Sequence, residues 1–142
     1  LAGEMNNIGE RARQAGIRFG YHNHDGEFKS DESGVFYDIL LRETDPSLVC
    51  FQLDIFWIIR GGYDPVAYFR KYPGRFALWH IKDMDPSGES TVIGTGTIDY
   101  REIFAFADLA ELDYFYVEQE SYTKSPIDSV KDSYNYIRNQ LM

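Results

Sequence analysis

Residues 51–83, FQLDIFWIIRGGYDPVAYFRKYPGRFALWHIKD, read as a strand, a helix and a second strand. The first strand is apolar and carries Asp54 near its C-terminal end. Gly61-Gly62 breaks the chain, and Asp64-Pro65 supplies an N-cap followed by a proline at the first helical position. Tyr72-Pro73-Gly74 stops that helix, and Phe76 to Ile81 forms another apolar strand that brings His80 near its own end. A crossover of this kind is right-handed and sets its two strands parallel. Asp54 and His80 are therefore expected to emerge side by side on one edge of a sheet.

The same alternation extends in both directions. Ala2 to Ala15 has Met5, Ile8, Ala12 and Ala15 on one stripe with Gly16 as a stop, which predicts a helix. Ile17 to Tyr21 predicts a strand leading into His22, Asn23 and His24. The polar stretch Asp25 to Gly34 reads as a loop, and Val35 to Glu43 as a short helix ended by Asp45-Pro46. Leu48 to Phe56 is the predicted strand of Asp54. After His80, Lys82 to Thr97 reads as a long loop, Asp99 as the cap of a helix running to about Leu109, and Tyr114 to Glu118 as a fourth strand. A final helix runs from Pro126 through Leu141. Strands alternating with helices predict an α/β fold with a parallel sheet, within one domain over residues 1–142. Four βα units fit a small open sheet or half of a (β/α)8 TIM-type barrel, for which roughly 250 residues is typical. The chain opens on Leu1 rather than Met, so a processed chain or a fragment is expected, and no compartment is assigned.

Composition narrows the partners. The formal net charge of −9 argues against a nucleic-acid backbone as ligand, because that affinity comes from Lys and Arg. No apolar run reaches bilayer-spanning length, so no membrane segment is expected. The single cysteine, Cys50, lies deep in the Asp54 strand and reads as a small buried hydrophobe.

Each predicted strand ends in a group able to bind a metal or move a proton: His22, Asp54, His80 and Glu118. In α/β barrels the C-terminal strand ends carry the chemistry. Two carboxylates with one or two imidazoles form an oxygen/nitrogen set suited to Mn²⁺, Mg²⁺, Co²⁺ or Zn²⁺, without choosing among them. Strand alternation puts Gln52 on the face of Asp54, Lys82 on that of His80, Glu120 on that of Glu118 and His24 on that of His22. Lys82 is a candidate to hold a substrate oxygen, or to pair with Asp83. His24 and Glu27 are candidates at the edge of the same mouth, and Trp57 with Phe56 for a wall against a sugar face or for core packing. Arg60 is a weaker candidate for an anion. The glycines of VIGTGTID, residues 92–99, match neither a dinucleotide fingerprint nor a Walker loop, and read as a turn before Asp99.

The stretches GIRFGYHNHDGEF, QLDIFWIIRGGYDPVAYFRKYPGRFALWHIKD, IGTGTIDYREIF and YFYVEQE resemble, in order, the sugar phosphate isomerase/epimerase group of the xylose isomerase-like TIM barrels. The resemblance implies the C-terminal half of such a barrel, with Asp54, His80 and Glu118 as ligands of one divalent metal. The family's first ligand is a Glu where this chain has His22. In tagatose-type 3-epimerases that Glu and the last one are the paired proton-transfer groups, and a His follows the metal-binding Asp by three residues, where this chain has Trp57. The His-rich motif is similar to the inosose dehydratase-like branch. The implied activity is metal-dependent isomerisation or epimerisation of a sugar or sugar-like polyol by proton abstraction next to a carbonyl, with Glu118 or His22 as base. Dehydration or lyase action on the same scaffold is the alternative. An AP endonuclease-like enzyme, with a trinuclear zinc site rich in His, and a non-catalytic barrel fragment are the remaining readings. A half barrel is expected to pair with a second copy or with a missing N-terminal half.

Overall fold

A computed structural model describes residues 1–142. In chain order the elements are α1 (Ala2–Gln14), β1 (Phe19–His22), a 3₁₀ turn at Gly26–Phe28, β2 (Ser30–Asp31), β3 (Gly34–Val35), α2 (Phe36–Glu43), β4 (Val49–Asp54), α3 (Ile55–Arg60) and α4 (Pro65–Lys71). They continue with β5 (Leu78–Ile81), β6 (Asp83–Met84), β7 (Ser90–Thr91), α5 (Tyr100–Phe104), α6 (Ala107–Ala110), β8 (Tyr114–Val117) and α7 (Pro126–Gln140).

The four principal strands form one parallel sheet in the order β1-β4-β5-β8. The α/β architecture of about four βα units is therefore as the alternation predicts. Asp54 lies directly opposite His80 in the β4–β5 register, and His22 lies opposite Gln52. The two faces of the sheet differ because strand side chains alternate. Val49, Phe51, Leu53, Trp79 and Ile81 point into the helix layer and are almost wholly buried, together with Tyr37, Ile58, Phe69 and Tyr100. Phe69 stacks on Trp79 with ring centroids 4.8 Å apart. The opposite face carries Gly20, Gln52, Leu78, Tyr114 and Tyr116, and no helix covers it. Tyr114 is 66% exposed and Tyr116 49%. Gly20 sits where space is short, because a Cβ there would lie 3.2 Å from Cys50 Sγ.

The structure corrects four local expectations. The strand predicted to Phe56 ends at Asp54, whose side chain accepts from the Trp57 backbone N–H and caps α3 at once. The helix expected from Asp99 to Leu109 is interrupted at Ala105–Phe106 and forms α5 and α6. The stretch 82–97 contains an antiparallel hairpin, β6 with β7, and the loop 25–34 contains the 3₁₀ turn and the start of the β2–β3 hairpin. Asp64 caps α4 through the Val66 N–H with Pro65 following, as read from the sequence.

Candidate metal centre

Parallel β4 and β5 deliver Asp54 and His80 to the same sheet edge, and β1 adds His22. Ligand atoms of His22, Asp54 and His80 lie within 4.8 Å of one another. The centre of this triangle is Asp54. Its carboxylate is fully buried, and Oδ1 is used by the helix cap. Oδ2 accepts no hydrogen bond, although His80 Nδ1 and Lys82 Nζ lie 3.7 Å away and His22 Nε2 lies 4.0 Å away. Those separations exceed hydrogen-bonding range, and the two imidazole nitrogens are spaced as donors arranged with Oδ2 about a common ion would be. A buried, unsatisfied carboxylate oxygen is costly, and a divalent cation between Oδ2 and the imidazoles would satisfy it. The donor set fits a hard or borderline ion.

Glu118, just beyond the end of β8, stands beside this triangle. Its Oε2 is 3.2 Å from His80 Nδ1 and 2.7 Å from Lys82 Nζ, and its backbone N–H donates to the Ile81 carbonyl. Burial pushes the Glu118 carboxyl up, but the Lys82 ammonium and then His80 outweigh it and hold the group below the ordinary carboxylate value. His80 is raised, first by Asp54 and against the effect of burial, with Glu118 adding to the rise. His22 is lowered, first by burial and then by the positive charge of neighbouring His80, which keeps its nitrogen lone pair available.

The other predicted positions gather around the same mouth. The His24 ring lies 4.9 Å from His22 and 5.3 Å from the Trp57 ring. Glu27 is engaged on both oxygens: Tyr21 Oη donates to Oε1 at 2.7 Å and the His24 backbone N–H to Oε2 at 2.9 Å. Glu27 thus fixes the turn that presents His24. Lys82 is wholly enclosed, with Nζ between Glu118 and Glu120 and beside the rings of Phe56 and Trp57. Arg60 donates to the Gly88 carbonyl rather than standing free.

Two supporting residues escaped the sequence reading. Asn23 is fully buried; its Oδ1 accepts the Asp54 backbone N–H at 3.0 Å and the Tyr37 hydroxyl at 3.3 Å, locking the end of β1 to the end of β4. Asp83 is also fully buried. Its Oδ1 accepts from the N–H groups of Met84 and Ile98, and its Oδ2 from those of Gly94 and Gly96. The glycine-rich turn thus cradles a carboxylate of its own chain. A Cβ on Gly96 would lie 2.3 Å from Asp83 Oδ1, which explains that glycine. The signal for Asn23 was its place between two histidines, and for Asp83 the glycine spacing 11–13 residues later.

The family model described as xylose isomerase-like TIM barrel matches residues 1–140. An inosose dehydratase of Clostridium botulinum (strain Alaska E43 / Type E3) is 28% identical over 163 residues, covering 99% of this chain and 53% of that protein. An inosose dehydratase of Geobacillus kaustophilus is 32% identical over 120 residues, covering 72% of this chain and 38% of its own. The crystal structure of a sugar phosphate isomerase/epimerase from Parabacteroides distasonis superposes with a TM-score of 0.86 at 33% identity, over 98% of this chain and 51% of that one. The chain spans about half the length of the curated relatives it matches. With a matching family model over nearly its whole length, the chain belongs to the xylose isomerase-like TIM-barrel family.

Proposed function

We propose that this chain carries the metal-binding and proton-transfer part of an enzyme that dehydrates a sugar-like ketone of the inosose class. The observation that supports this best is the buried, unpartnered Asp54 Oδ2 between His22, His80 and Lys82. Asp54, His80 and His22 would hold a divalent ion, with Glu118 able to join them. When bound, such an ion supplies Lewis-acid polarisation of a carbonyl oxygen. Glu118 is held ionised beside Lys82 and is the candidate base. It takes the proton from the carbon next to the carbonyl, and the freed electron pair forms a carbon–carbon double bond as the β carbon–oxygen bond breaks. The departing hydroxyl leaves with that proton as water, and Glu118 is again a carboxylate.

The curated relatives named inosose dehydratase support elimination, as does an imidazole at His22 where paired-carboxylate epimerases place a second Glu. His24 and Trp57 form the wall nearest the metal triangle and are the proposed contacts to the ring of the substrate, with Glu27 setting the position of His24. Isomerisation or epimerisation by the same proton abstraction is the second reading, favoured by the Parabacteroides distasonis neighbour's name and 33% identity. The open sheet face and the free edges of β1 and β8 are the proposed seat of the remaining barrel strands or of a second copy.

The test is metal analysis followed by incubation with a keto-inositol and a panel of ketoses in D₂O, starting with Mn²⁺, Co²⁺ and Zn²⁺. Dehydration predicts one bound ion and growth of the ultraviolet band of a conjugated enone from the keto-inositol. Deuterium entering a ketose without enone formation would favour the second reading. Absence of both signals across the panel would sink the proton-abstraction reading.

A further inference from the structure

Lys82 is the one wholly enclosed cation at the site, and its surroundings are specific. Its ammonium lies 2.7 Å from Glu118 Oε2, 2.8 Å from Glu120 Oε1 and 3.7 Å from Asp54 Oδ2. The rings of Phe56 and Trp57 close over it at 5.4 and 5.1 Å. Its backbone is equally fixed. The Tyr100 hydroxyl accepts from the Lys82 N–H and donates to the Lys82 carbonyl, both at 2.8 Å. The next residue is Asp83, bound by the Met84 N–H and by three N–H groups of the glycine-rich turn.

Glu118 is the opposite case. It follows an edge strand and its side chain is 38% exposed. Apart from His80, Lys82 is the only donor that reaches it, and both engage Oε2. Oε1 accepts nothing from the protein. A flexible glutamate at a strand end gains a single orientation only through a rigid partner, and the rigid partner here is the lysine.

We infer that Lys82 is a positioning residue: it fixes Glu118 by one oxygen so that the other faces the reacting carbon, and does not itself bind substrate. Glu120 shares the ammonium and is held in turn by the Ser90 hydroxyl, which accepts its backbone N–H at 2.8 Å. The hairpin β6–β7 is thereby tied to the same cation. The inference rests on Glu118 being the base proposed above.

Two measurements on the full chain test it. The first needs no metal. Crystals of Lys82→Met are expected to show the Glu118 carboxylate displaced from His80, and those of Lys82→Arg to show it retained; a Glu118 unmoved in Lys82→Met would overturn the assignment. If Lys82→Met fails to fold, Lys82→Arg decides alone: Glu118 held against the guanidinium supports the assignment, and Glu118 still against His80 but out of reach of the guanidinium overturns it. The second is a double-mutant cycle on Mn²⁺ affinity with Lys82→Met, Glu118→Gln and both together, read by titration calorimetry. Direct repulsion between the ammonium and the ion cancels in the coupling. A coupling factor of about fivefold or more is expected; a factor within about twofold of unity overturns the inference. Wild-type protein that binds no Mn²⁺ would remove the metal reading, while the crystals would still decide the role of Lys82.

Discussion

Replacing Asp83 by Asn probes whether the glycine-rich turn is built around a carboxylate. The substitution keeps the shape and removes one acceptor oxygen. Because Oδ1 and Oδ2 each accept two backbone N–H groups, either orientation of the amide sets its NH₂ against two donors. At about 1.5–3 kcal/mol for each hydrogen bond to a charged group, losing two costs about 3–6 kcal/mol. That is a large share of the roughly 5–15 kcal/mol of a typical domain. Urea unfolding followed by circular dichroism and by the fluorescence of buried Trp79 gives the difference directly, provided the slope m is unchanged. Asp64→Asn is the control: its side chain caps α4 through the single Val66 N–H, a role Asn fills as well, so a change under about 0.5 kcal/mol is expected. A loss below about 1 kcal/mol for Asp83→Asn would show that the turn holds its shape without the charge and would refute the argument.

Tyr100→Phe removes the hydroxyl that accepts from and donates to the Lys82 backbone, leaving both groups unsatisfied in the interior; a loss of about 2–4 kcal/mol is expected in the same unfolding assay. Gly94→Ala places a Cβ 2.2 Å from the Tyr136 ring at a φ of +87°, so it should lower the melting temperature more than Gly3→Ala, which meets nothing. Asp54→Asn should weaken Mn²⁺ binding at least 100-fold by calorimetry, and retained affinity would exclude Asp54 as a ligand. In metal-free protein the raised pKa of His80 has a defined sign: its stabilisation is complete below the unfolded value near 6.5 and is lost as pH rises through the higher folded value. NMR titration of the His80 ring should place its midpoint above that of His22, and the reverse order would contradict the pairing with Asp54 and Glu118.

The sheet was legible because its outward positions are apolar at period two and its helices carry conventional starts, as at Asp64-Pro65. The ends of strands were legible as a constellation because a parallel sheet converts residues far apart in sequence into neighbours on one edge. The boundary after Asp54 was not, because Ile55-Phe56-Trp57-Ile58-Ile59 is apolar throughout and fits a strand as well as a buried helix. Only the capping contact from Asp54 to the Trp57 N–H separates the two. The partner of Asp83 was hidden for a different reason. Lys82 offers the obvious charge, whereas the carboxylate turns to backbone N–H groups whose one trace in the sequence is the glycine spacing. Likewise, nothing in the letters shows that the Lys82 side chain is enclosed while that of Glu118 is not.

The order β1-β4-β5-β8 also distributes local stability across the site. Every pairing joins strands adjacent along the principal chain path, so the sheet grows by adding βα units at its ends. The two inner strands each have neighbours on both sides, and they carry Asp54 and His80. The two outer strands have one neighbour each, and they carry His22 and lead into Glu118. Opening an outer strand breaks one ladder, whereas opening an inner one breaks two, so hydrogen exchange protection should fall from the middle of the site to its flanks. Of the proposed ion ligands, Asp54 and His80 thus sit on the doubly paired strands, while His22 and the proposed base Glu118 sit at the singly paired margins.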